Sequence, residues 1–114
     1  MKVNKADILD NINTQIKSDE DEYKELCSGL ARYIYHTDKV GIYEVRRRVS
    51  EIESYYIAIT YNKYFLENIE NGPDVVSEEF ARESYLKAID KGSKRLLEEK
   101  EEVDRLNKID EDSI

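Results

Sequence analysis

Ile42, Val45, Val49, Ile52, Tyr56, Ile59 and Leu66 follow one another at alternating steps of three and four residues, with Lys63 the one interruption. That spacing places apolar side chains along one stripe of an α-helix, whereas a half-buried strand needs a period of two. Within the stretch lies Tyr55-Tyr56-Ile57-Ala58-Ile59-Thr60-Tyr61, which alone has strong β-propensity. Propensity is a weak local preference, and a period sustained over about seven turns outweighs it. The spacing predicts a helix from Ile42 to about Glu70, roughly 43 Å long. Asn71-Gly72-Pro73 stops it. Gly or Asn suits a left-handed cap, and Pro cannot continue the helix.

Shorter signals flank this segment. Asn4 reads as a helix cap, with Asp7 three residues on and Val3 and Ile8 at hydrophobic-staple positions. Ile8, Leu9, Ile12 and Ile16 continue a first helix to about Lys17. Ser18 reads as the cap of a second, with Asp19 to Glu22 in its first turn, where carboxylates suit the positive end of the helix dipole. Tyr23, Leu26, Cys27, Leu30 and Ile34 form its stripe, and Thr37 to Gly41 form the connection onward. Ser77 caps the last helix, predicted to about residue 108, with Phe80, Tyr85, Leu86, Ile89, Leu96, Val103 and Leu106 on one broad side. Gly92 interrupts it and would let another helix approach closely. The expected fold is all-α: a single domain, residues 1–114, built on an antiparallel helical hairpin (about 42–70 and 77–108). Two shorter N-terminal helices cover its open face, and an acidic C-terminal segment begins near residue 98.

Composition enters where function is at issue. The net charge is −8, so non-specific binding to a nucleic acid backbone is disfavoured and a basic partner surface is attracted. One Cys and one His leave no structural zinc site within the chain, and the absence of a Gly-rich segment leaves no nucleotide cradle. No catalytic, cofactor-binding or metal-ligating residue is assigned. Arg32 and His36 resemble the Arg/His pair of HEPN ribonucleases, but Tyr33, Ile34 and Tyr35 are fewer intervening residues than that motif uses. In Arg46-Arg47-Arg48, Glu44 is four residues from Arg48 and Glu51 four from Arg47, which predicts a salt-bridged helical face rather than a phosphate site. The N-terminus has no apolar stretch of secretory type and no run reaches membrane-span length, so a cytoplasmic protein is expected.

Two features point to partner binding. The chain has nine Tyr and no Trp, and Tyr55, Tyr61 and Tyr64 fall off the main seam, where they could anchor a partner. Glu98, Glu99, Glu101 and Glu102, with Val103 and Leu106, form an acidic and apolar C-terminal surface. The expectation is a non-enzymatic acidic interaction protein without cofactor or membrane association. The Lys, Glu, Ile, Asn and Tyr bias suggests an AT-rich genome or its phage. In that setting such a protein would inhibit a host protein by occupying a basic nucleic-acid-binding surface, as small anti-defence proteins do. The alternative is a structural subunit of a virion or other assembly, a connector or ring protein that self-associates through the apolar seam of residues 42–66 or through the Leu96, Val103 and Leu106 stripe.

Overall fold

Helix termini are where local sequence meets tertiary structure, and here they define the fold. The computed structural model describes residues 2–112 of the chain, with side chains to Lys108. In order, the elements are β1 (Lys2–Asn4), α1 (Lys5–His36), α2 (Ile42–Glu70), β2 (Val75–Ser77) and α3 (Glu78–Asp112). The protein is all-helical apart from one antiparallel strand pair, in which Lys2, Val3 and Asn4 face Ser77, Val76 and Val75.

The central helix has the expected bounds, and the connection at residues 37–41 lies where it was predicted. The four-helix expectation gives way to three helices. The segments read as two short N-terminal helices are one continuous α1 of 32 residues. Ser18 caps nothing and is exposed in mid-helix. Neither Gly nor Pro interrupts residues 5–28, so the backbone has no reason to break. Ile12, Ile16 and Asp19 are buried on one line of α1, which keeps the helix pressed against its neighbour through the acidic run. Gln15 Nε2 donates to Asp19 Oδ1 at 2.9 Å, so the buried carboxylate has a partner.

Two other local expectations are revised. Among the described residues none, glycine included, has a positive φ, so the end of α2 is not a left-handed cap. Asn71 stays in the right-handed region and its N–H returns to Glu67 O. Gly72 is needed for space: a Cβ there would run into the Phe80 ring. Asn4 occupies the cap position of α1 but makes no side-chain capping bond. The Lys5 N–H instead donates to Asp74 O at 2.8 Å, and Lys5 Nζ to Glu70 O at 3.0 Å. Ser77 caps α3 as predicted, its Oγ accepting from the Phe80 N–H at 3.1 Å.

α1 and α3 both run antiparallel to α2, pack along its two sides and scarcely touch one another. The strand pair joins the starts of α1 and α3 at the end where α2 finishes. The core lies there: Ile12, Ile16, Ile69 and Val76 are buried together, with Leu9, Phe65, Leu66 and Phe80 packed around them. Away from this end the molecule is drawn out. Its radius of gyration is 18.4 Å, against about 13 Å for a compact chain of this length. Among the described residues, no helix is long and apolar enough to cross a membrane.

Candidate protein-binding surface

The contact between α2 and α3 starts closed and ends open. Asn68 Nδ2 donates to Ser84 O at 2.9 Å near the core. Two turns on, the Tyr61 ring lies directly over Gly92, and its hydroxyl is 3.1 Å from Ser93 Oγ. The close approach predicted at Gly92 is therefore made by an aromatic ring from α2. Tyr64 is held under the Lys91 ammonium, 4.8 Å from the ring centroid, and Lys91 also faces Glu67 at 3.8 Å.

The next turn is polar. The Tyr56 hydroxyl donates to Glu99 Oε2 at 2.9 Å, and Arg95 Nε donates to Glu99 Oε1 at 3.2 Å. Tyr23 of α1 reaches the other side of Tyr56, with ring centroids 6.0 Å apart. The Glu99 hydrogen bond first, then burial, holds the Tyr56 hydroxyl above its ordinary value of 10.0, and burial does the same for Tyr23. A raised folded pKa adds stability that is complete below the unfolded value, about pH 10. It is lost as pH climbs through the higher folded value. Tyrosinate absorbance should therefore show a late-titrating component that Tyr56→Phe removes; an unchanged titration curve would mean the Glu99 bond does not form in solution.

Beyond Tyr56 the helices part around a groove of about 510 Å³, walled by Glu53, Tyr56 and Ile57 of α2 and by Leu96, Glu99, Lys100 and Val103 of α3. Gly92, Leu96, Glu99, Val103 and Leu106 form one row of α3, spaced four and three apart, and this row faces α2 at Gly92 and Glu99. Its last two members lie open, Val103 at 54% and Leu106 at 51% exposure. At about 100° per residue, Glu101 falls on the opposite side of α3 and Glu98 on its flank. Neither is in an ion pair among the described residues, while Glu102 is paired with Arg105 at 2.5 Å.

The candidate residues named from sequence are thus divided. Glu99 and Val103 meet in the groove, Leu106 continues it, and Glu98, Glu101 and Glu102 lie on the flank and back of the same helix. The tyrosines are elsewhere: Tyr61 and Tyr64 are engaged by α3, and half-buried Tyr55 lies beside Asp19 on the α1 side. Tyr56 and Leu96 belong to the apolar stripes read as surfaces for self-association, whereas Ile57 lies off the seam and was not singled out. The parting of α2 from α3 brings the three together at the groove.

The α1–α2 turn carries a second exposed apolar group that sequence reasoning missed. Tyr35 is 86% and Tyr43 81% exposed, and Ile34, Val40 and Ile42 are exposed around them. The arginine cluster beside it is largely neutralised, as its spacing predicts. Arg47 contacts Glu44 at 2.6 Å and also Glu51; Arg48 reaches Glu44 at 3.0 Å and stacks over Tyr33 at 4.9 Å. Hydrogen bonding from Arg47 holds the Glu44 carboxyl below its ordinary value. Arg32 and His36 are both exposed, and the His36 ring meets the Tyr35 ring edge-on at 5.4 Å. Among the described residues, no group of three side chains could hold a metal ion.

Comparison with known proteins finds no matching family model, no similar curated protein and no similar solved structure. What the chain does is read from its own surface.

Proposed function

We propose that this chain is a non-enzymatic binding protein whose α3 engages a basic surface on another protein. One observation carries the reading. Glu98 and Glu101 project from a helix that extends past the core, and among the described residues neither is in an ion pair, since Lys94 and Arg105, four residues from them, are engaged by Asp90 and Glu102. Carboxylates three and four residues apart on a helix stand about 5–6 Å from one another, which lets a helical ridge imitate a phosphate backbone. A cationic nucleic-acid-binding groove is the chemistry that complements such a ridge. In a phage or mobile element, occupying that groove on a host protein would serve as anti-defence inhibition.

Immobilised protein should then retain a nucleic-acid-binding protein from extract near 50 mM salt and release it near 500 mM, where charges are screened over about 4 Å. Added nucleic acid should compete. Glu98→Lys combined with Glu101→Lys should lower retention at least about tenfold, the equivalent of about 1.4 kcal/mol. Retention that survives both the charge reversal and the competitor would sink this reading.

The structural-subunit reading is favoured by a different observation, the amount of apolar surface the chain leaves uncovered at both prongs of its open end. It predicts large assemblies of the chain alone, which sedimentation would detect without any partner.

A further inference from the structure

We infer that the open end of the α2–α3 groove is the seat of a second copy of this chain, which docks its own α3 row there to form a two-fold dimer. The inference goes beyond the proposed function, because it uses the side of α3 that faces away from Glu101.

The amount of surface argues for a macromolecular occupant of this size. A compact monomer of 13.4 kDa exposes about 6,500 Å², whereas this chain exposes 8672 Å². The excess is about 2,200 Å² per chain, compared with about 800 Å² that each partner contributes to an interface of standard size; obligate dimers bury more. Among the described residues only six apolar side chains are buried, a small interior that association would enlarge.

The chemistry of the row argues for a copy of the same chain. An isologous interface needs a patch that complements itself. Leu96, Val103 and Leu106 recur at coiled-coil spacing on one side of α3, so two such rows can pack knobs into holes. Glu99 is the one charge in the row, and it is already satisfied by Tyr56 and Arg95; the groove's other two charges, Glu53 and Lys100, are opposite in sign and both exposed. Ile57 and Tyr56 supply the facing wall on α2. Net charge sets the sign of the salt dependence. Two chains of −8 repel, so salt should tighten this contact, whereas it weakens binding to a basic partner.

Light scattering on the purified full chain tests this. The expected mass is twice 13.4 kDa, held or raised as salt increases. Val103→Asp with Leu106→Asp should return the mass to 13.4 kDa while far-UV circular dichroism keeps its helical signal. Glu98→Lys with Glu101→Lys should leave the dimer intact, which separates this test from that of the proposed function. Amide exchange on the unmodified chain removes dependence on the variants: segments 53–57 and 96–106 should lose protection on dilution. A monomer at every concentration overturns the inference. So does a dimer that Tyr35→Asp with Tyr43→Asp dissociates and the α3 variants do not, since the hairpin tip would then be the interface.

Discussion

Ile69→Ala is expected to be the most damaging single substitution, with a loss of about 2–5 kcal/mol. Ile69 is fully buried and lies in the one cluster where α1, α2 and the strand before α3 converge, among Ile12, Ile16 and Val76. Removing its side chain forfeits the transfer free energy of three carbons and leaves a cavity. The neighbours come from three elements tied by a strand pair and cannot all close inward. A domain of this size has about 5–15 kcal/mol in total, so the loss is a large share of it. Thermal unfolding followed by circular dichroism should show a midpoint lowered by on the order of 10–20 °C. A shift of only a few degrees would mean that the stabilising core lies elsewhere along the helices.

At Gly92, a substitution that ordinarily stabilises a helix is expected to do the reverse. Gly→Ala inside a helix gains about 1 kcal/mol from backbone entropy. At this position a Cβ would stand 2.6 Å from Tyr61 Cδ1 and 3.0 Å from Cε1. Those atoms form one edge of the ring, and its hydroxyl is tied to Ser93, so it cannot swing aside without losing that bond. Overpacking of this kind costs about 1–3 kcal/mol, so Gly92→Ala should lower stability by up to about 2 kcal/mol net. In a Tyr61→Ala background the clash is gone, and the same change should stabilise by up to about 1 kcal/mol. The double-mutant cycle would then show a coupling of about 1–3 kcal/mol, the size of the clash. Additive effects of the two changes would show that Tyr61 does not sit over Gly92.

The two positions differ in how far the sequence foretold them. Gly92 stands out in a helical stripe, and the close approach there was predicted, although not that a tyrosine makes it. Ile69 was not singled out, because its importance comes from Val76 and from Ile12 and Ile16 of α1 meeting it in one cluster. The candidate surface behaved in the same way. The acidic ridge is visible as a run of carboxylates, with Val103 and Leu106 beside it, whereas the groove is not, since Ile57 lies off the predicted seam of α2 and meets that row only because of where the helices part.

Periodicity and punctuation by themselves determined that the chain is helical, that α2 runs from Ile42 to Glu70, that the helices break at residues 37–41 and 71–77, and that Ser77 caps α3. These follow from interactions among residues three or four apart, which the sequence states directly. Tertiary structure decided whether Ser18 and the carboxylates after it begin a helix or sit inside one, since both conformations satisfy them locally; packing of Ile16, Asp19 and Tyr23 against α2 selected the continuous helix. It also decided the pairing of Lys2–Asn4 with Val75–Ser77 and the divergence that exposes Val103 and Leu106. Both depend on groups some seventy or fifty residues apart, whose encounter is governed by the closure of the whole chain and leaves no local mark.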